Sequence, residues 1–272
     1  MRSKALLPIA IFDSGVGGLT VAEALKKKLP NESILYLADT ASRPFGTKSE
    51  KELRKIIDQN CEFLSSIPIK MLVIACHTAC SLGLDLYQRL NVPILGITGS
   101  SFLTLTSLDS SLPKIILGTE RTISSKIYQK FLSDNFSDHQ AYFYSCSCIE
   151  KMIETMYSDE TLILKELNAS LSSISSVKNA NVLLACTHFP IYKKYIQKVM
   201  DSSCHLIDPA IDFIEQIHYT LQDLKLTNPK TASEDVYLVT ENVDPFKKKF
   251  FTYFSMTLTK TNHFFNQSCA II

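Results

Sequence analysis

Two short apolar runs in this chain end in the same way. Residues 71–75 (MLVIA) lead into Cys76, His77 and Thr78, and residues 182–185 (VLLA) lead into Cys186, Thr187 and His188. An uninterrupted apolar run of four or five residues marks a strand covered on both faces, as strands are in a parallel sheet. The residues just after such a strand lie at the carboxyl edge of the sheet, where open α/β sheets bind ligands. A single cysteine there could be filler. Two in near-repeated surroundings, 110 positions apart, suggest two half-sites facing one ligand, an arrangement suited to acid/base chemistry from opposite sides.

The rest of the chain keeps the same rhythm. Strand-like runs at 9–12, 33–37, 71–75 and 93–97 alternate with helical spacing at 19–29 and 51–65. The cycle restarts with strands at 114–118, 141–144 and 182–185, separated by helices near 124–133, 148–156 and 162–172. A helix at 210–224, a strand at 236–239 and a helix at 244–253 complete the pattern, and residues 257–272 read as a surface tail. This βα alternation predicts an α/β fold of two domains, each a mainly parallel sheet flanked by helices, with the active site in the cleft between them.

Composition excludes several function classes. At 272 residues, 46% hydrophobic and 20% charged, the chain is in the range of ordinary globular proteins and can bury a substantial core. Its 28 basic and 27 acidic residues nearly cancel, so no global field favours nucleic acid or an anionic membrane. The lysine clusters at 26–28 and 247–249 read as solvated helix faces. The basic, apolar start is too short for a signal peptide and runs into Asp13 without a cleavage pattern, and no segment has the length of a membrane span. A cytoplasmic protein is the expectation. Eight cysteines in such a chain do not suggest a disulfide scaffold. The pairs Cys76/Cys80 and Cys146/Cys148 lack the repeated spacing of zinc sites, so no metal is expected. Cys61, Cys80, Cys204 and Cys269 read as small buried hydrophobes.

The turn after the first strand, IFDSGVGGLT at 11–20, has glycines at 15, 17 and 18 that permit tight backbone and positive φ, and amides that could hold an anion at a helix start. Its spacing is not the dinucleotide fingerprint, and it has no Walker lysine. A small carboxylate fits better than a pyrophosphate. Asp13 either caps the helix or holds the proton of a neighbouring base. Cys76 precedes a helix whose dipole can lower its pKa, and Thr78 could cap that helix or bind a carboxylate. His77 taken alone reads as a surface residue. At the second run, the His188 imidazole can polarise the Cys186 thiol or relay its proton, and Pro190 suits the first turn of the next helix.

Together these residues resemble the glutamate racemases, within the aspartate/glutamate racemase superfamily. The likeness covers most of the chain: DSGVGGLTV at 13–21, LPNE at 29–32, YLADTASRPFGTKS at 36–49, ACHTA at 75–79, GTERTISS at 118–125, LACTHFP at 184–190 and IDPA at 207–210. The resemblance implies cofactor-independent interconversion of L- and D-glutamate, supplying D-glutamate for peptidoglycan. One cysteine removes the α-proton and the other delivers a proton to the opposite face. It implies that Cys76 acts on D-glutamate with help from Asp13. Cys186 would act on L-glutamate with help from His188 and from Glu154, which aligns through residues 144–154. Asp13, Ser14, Phe45, Gly46, His77, Thr78, Thr119, Thr122, Thr187 and His188 are the implied substrate-binding set. The domains implied are 1–98 plus 209–272, and 99–208. A homodimer is one assembly the family permits.

The chain departs from the family pattern at His77, where asparagine is usual, at Phe45, where tyrosine is usual, and in 96–101, which lacks a usual proline. These departures bear on efficiency and substrate choice more than on fold. Three other readings stand beside glutamate racemisation: a related aspartate racemase, a catalytically reduced member kept as a binding protein, and a thiol redox sensor in which Cys76 and Cys186 form a disulfide.

Overall fold

The computed structural model describes residues 4–136, 140–229 and 235–256, and the backbone of 263–266. The strands in chain order are β1 (Ile9–Asp13), β2 (Ile34–Ala38), β3 (Met71–Ile74), β4 (Ile94–Gly96), β5 (Lys114–Gly118), β6 (Ala141–Ser145), β7 (Asn181–Ala185), β8 (His205–Ile207), β9 (Val236–Val239) and β10 (His263–Asn266). They form a six-stranded sheet of order β10-β9-β2-β1-β3-β4 and a four-stranded sheet of order β6-β5-β7-β8. Every pairing is parallel. Helices flank both sheets, so the fold is α/β as the sequence pattern predicts.

The central strands are apolar apart from Asp13, Lys114 and Asn181 at their ends because they have no solvent face: every residue of β1, β2, β3, β5 and β7 is buried. Helix Glu50–Ser65 opens with a capping box between Ser49 and Glu52 and buries Leu53, Ile57, Cys61 and Leu64 along one face. Helix Ala210–Asp223 does the same with Phe213, Ile214, Ile217 and Leu221.

Some elements differ from expectation. Helix Ile97–Ser107 comes directly after β4 in a Ser/Thr-rich stretch with little helical signal. Its Ser101 and Thr104 hydroxyls donate to the carbonyls four residues back, at 2.9 and 3.1 Å, and Thr104 also meets Asp212 on helix Ala210–Asp223. The helix expected at 124–133 is two, Glu120–Ser124 and Ile127–Asn135, broken at Lys126 with φ 60°. Within the expected tail, residues 263–266 are β10, in register with β9 from His263↔Val236; the rest of 257–272, with Cys269, lies outside the described residues. The lysine clusters are not wholly solvated. Lys249 is 6% exposed and pairs with Glu154, and Lys26 pairs with Asp235. Among the described residues no helix is long and apolar enough to cross a membrane.

Candidate active site

The site forms where strands of both sheets end. Asp13 closes β1, Cys76 comes after β3, Thr119 after β5 and Cys186 after β7. One small pocket is lined by Ser14, Phe45, Gly46, Cys76, His77 and Thr78 on one side, and by Thr119, Glu150, Cys186, Thr187 and His188 on the other. Its volume is about 10 Å³, room for about one water. Asp13, Thr122 and Glu154 lie outside the lining and each bonds to a lining residue: Asp13 to Thr187, Thr122 to Thr78 and Thr119, and Glu154 to His188.

The glycine turn shapes this pocket by close approach. Gly15, Gly17 and Gly18 are not in the positive-φ region. A Cβ on Gly17 would stand 2.5 Å from His188 Nδ1 and 2.6 Å from Thr187 Oγ1, and one on Gly15 would stand 2.6 Å from Glu154 Oε1. Two of the turn amides are already taken by the protein's own carboxylates. Gly15 N–H donates to Asp13 Oδ1 at 2.9 Å, and Val16 N–H donates to Glu154 Oε1 at 3.3 Å. Asp13 therefore organises the turn, and its carboxylate also draws on the amide of Gly18, the N-cap of the next helix.

Each thiol has its own electrostatic neighbour. Cys76 is the N-cap of the short helix His77–Cys80, with Sγ 3.8 Å from Ser14 Oγ. Burial, then the Asp13 carboxylate, push its pKa well up, and the Ala79 amide only partly opposes this. Asp13 is fully buried, which raises its own pKa to about 6 against the pull of His188, the Gly15 amide and the Thr187 hydroxyl.

On the other side, Cys186 Sγ lies 3.9 Å from His188 Nδ1, and His188 Nε2 lies 2.9 Å from Glu154 Oε1. Burial raises the thiol pKa, and the imidazole opposes it. For His188, burial favours the neutral ring, but hydrogen bonds to Cys186 and Glu154 outweigh it, so the ring is held as imidazolium. Burial would also raise Glu154, yet His188, Arg43 and Lys249 hold its carboxyl well below the usual range. Lys249 Nζ is 2.5 Å from Glu154 Oε2, and the Arg43 guanidinium also pairs with that oxygen. Pro190 falls in the first turn after the histidine, as its fixed φ predicts.

Between the two sides, Thr78, Thr119 and Thr122 join their hydroxyls at 2.9–3.3 Å. Thr119, not Thr78, is a cap, accepting from Thr122 N–H at the start of helix Glu120–Ser124. His77 is 2% exposed, contrary to its surface reading. Ser101 Oγ gives its proton to the Ile97 carbonyl, so it accepts from His77 Nε2 at 3.4 Å and leaves Nδ1 as the acceptor atom. Burial lowers the His77 pKa to about 3 and keeps the ring neutral. Phe45 is buried against Phe12, with ring centroids 6.3 Å apart.

Sequence reasoning missed Arg43, Lys249 and Glu150. Arg43 lies inside the 36–49 motif, and Glu150 stands one helical turn before Glu154 on helix Ser147–Glu154. Lys249 reaches the site from helix Val243–Tyr253, a contact with no local sequence signal. All seven described cysteines are free, and among the described residues no three His, Cys, Asp or Glu side chains gather as metal ligands.

Fold and site thus define a class: α/β proteins that bring one thiol from each of two parallel sheets to a single enclosed pocket. The family profile for Asp/Glu/Hydantoin racemase matches residues 20–216. The chain belongs to that family. It is similar to the glutamate racemase of Lysinibacillus sphaericus, at 32% identity over 243 residues, covering 88% of this chain and 91% of the relative. Among solved structures it is similar to a glutamate racemase isoform from Bacillus anthracis, with 25% identity and a TM-score of 0.88 over 96% of this chain and 97% of the other. It is also similar to the Francisella tularensis glutamate racemase in complex with D-glutamate, with 27% identity and a TM-score of 0.86 over 98% and 100%.

Proposed function

We propose that this protein interconverts L- and D-glutamate without a cofactor, by two-base proton transfer between Cys76 and Cys186. The observation that carries the reading is that these two thiols line one pocket from two different sheets, Cys186 beside His188 and Cys76 in the field of the Asp13 carboxylate. A thiolate on one side takes the α-proton as the C–H bond breaks, and the thiol on the other side gives its proton to the opposite face of the α-carbon. The two sulfurs then exchange roles for the reverse direction. Asp13, raised to about 6, is a buried base able to draw the proton from Cys76. The His188 imidazolium, fixed by Glu154, stabilises the Cys186 thiolate. Cys76 in this scheme serves D-glutamate and Cys186 serves L-glutamate.

The hydroxyls of Ser14, Thr78, Thr119 and Thr187, with Phe45, Gly46, His77 and His188, form the substrate wall in this reading, and Thr122 holds Thr78 and Thr119 in place. Residues 1–98 plus 209–272 and 99–208 form the two domains, a division supported by the membership of β9 and β10 in the first sheet. A cytoplasmic role supplying D-glutamate for peptidoglycan belongs to the same reading. So does a homodimer, supported by the exposed Leu103, Ile211 and Tyr219 on two neighbouring helices.

The test is α-proton exchange in deuterium oxide, monitored by proton NMR, with both enantiomers of glutamate and of aspartate and no added cofactor. Loss of the α-proton signal from both glutamates, with appearance of the opposite enantiomer, is the expected result. Exchange confined to aspartate would move the assignment to that substrate. Silence on all four from folded, reduced protein would overturn catalysis.

A further inference from the structure

Helix Ser147–Glu154 aims two carboxylates at the site, and the reaction as proposed uses one. Glu154 is fully engaged by His188, Arg43, Lys249 and the Val16 amide. Glu150 stands one turn earlier on the same face and is 7% exposed. Among the described residues its carboxylate makes no hydrogen bond and no ion pair; its electrostatic neighbours are His188, Glu154 and Arg43. A carboxylate this deep with no protein donor faces the open space beside it.

Glu150 borders two spaces at once. One is the thiol pocket, beside Cys186 and His188. The other is an outer cavity of about 440 Å³, walled by Arg43, Pro44, Thr47, Ser147, Lys151 and Glu154 among others. The groups facing it are Glu154 from its own helix, Cys186 and His188 from the segment after β7, and Arg43 from the segment after β2, with Lys151 on the outer wall. The His188 cation is committed to Glu154, and Arg43 is paired with it too. A second carboxylate on an incoming amino acid therefore meets the Glu150 charge at the mouth of the thiol pocket, where His188 and Arg43 are already paired and the Lys151 ammonium lines only the outer cavity.

We propose that Glu150 is a specificity-determining residue at the junction of the outer cavity and the thiol pocket, where its ionised form penalises a substrate carrying a second carboxylate and its protonated form accepts one. This rests on the glutamate reading of the site. Burial and Glu154 raise the Glu150 pKa, while His188 and Arg43 oppose them. Acid therefore favours the form that admits glutamate, and the effect belongs to KM more than to kcat.

The experiment measures kcat and KM for L-glutamate from pH 5.5 to 8.5 in wild type and Glu150→Gln, whose fold is checked by thermal melting. The inhibition constant of L-glutamine, with its neutral side chain, is measured alongside. The expected ratio of kcat/KM, variant over wild type, rises through KM as pH rises and reaches about tenfold at the alkaline end, while the glutamine constant does not change. A ratio independent of pH, or a parallel change for glutamine, overturns the proposal. Should wild type fail to racemise glutamate, the glutamate reading falls. The same ratio, taken from calorimetric glutamate Kd values, then decides on Glu150 alone.

Discussion

Asp13 is a carboxyl held fully buried at the end of β1, with its pKa raised from the usual 3.8 to about 6. Folding therefore favours its protonated form. From pH 4 to pH 6 the folded state progressively loses that advantage, and at pH 7 the ionised group works against stability. Asn fits the same place, since its oxygen can accept from Gly15 N–H and its amide can donate to Thr187 Oγ1. Asp13→Asn is expected to melt no lower than wild type at pH 7, and to gain on the order of 2 kcal/mol there, while its racemisation falls sharply. A lower melting temperature at pH 7 would show that Asp13 is there for structure. Cys76→Ala and Cys186→Ala remove small side chains from the pocket wall and should keep the fold while lowering turnover by about 10²–10⁴ or more. Near-wild-type turnover in either variant would end the two-thiol mechanism.

At the scale of elements, helix Ser147–Glu154 connects the site to solvent. Its cap, Cys146, is buried, whereas Cys148 is partly exposed, with its sulfur 3.4 Å from Cys146 Sγ and 3.2 Å from Ser170 Oγ. The contact with Cys146 is the largest influence on Cys148 and brings its pKa down to about 7, while burial raises those of Cys76 and Cys186. Among the described cysteines, Cys148 should thus be alkylated first by iodoacetamide at pH 7.5, as peptide mapping would show. Earlier labelling of Cys186 or Cys76 would mean that the pocket opens more readily than its volume implies. The first turn of this helix is also where sequence reading was least informative. The strands β1, β3, β5 and β7 were legible because burial on both faces leaves an uninterrupted apolar run, and the residues just after them carry most of the site. The three-residue β8 and the helix Ile97–Ser107 were not, because a short edge strand has no period and a Ser/Thr-rich helix has no apolar stripe to read. Glu150 shares a face with Glu154, a spacing present in the sequence, but its junction between two spaces exists only once both sheets are assembled.

In the molecule as a whole, ligand pockets commonly enclose about 300–1,000 Å³, far above the 10 Å³ between the thiols, so substrate binding requires the walls to part. Polar links across them include Thr78 to Thr119 and Thr122, Asp13 to Thr187, the Val16 amide to Glu154, Tyr253 to the Ile153 carbonyl, and Arg43 and Lys249 to Glu154. Lys249 comes from an element that packs beside the six-stranded sheet, whereas Glu154 comes after β6 of the four-stranded one, so this ion pair ties chain segments that are 95 residues apart. Glu154 has a depressed folded pKa. Its stabilisation is present above its usual value of 4.5 and is lost as pH falls through the depressed one. Lys249→Met keeps the stem but removes one of the charges responsible, so the depression shrinks and acid unfolding, monitored by far-UV circular dichroism, should move to higher pH. Arg43 and His188 remain on Glu154, which limits the loss at neutral pH to less than the about 3–5 kcal/mol of a buried pair broken outright. An acid midpoint unchanged by Lys249→Met would mean that Arg43, His188 and the Val16 amide hold Glu154 without Lys249, leaving Tyr253, whose hydroxyl donates to the Ile153 carbonyl, as the tie from helix Val243–Tyr253.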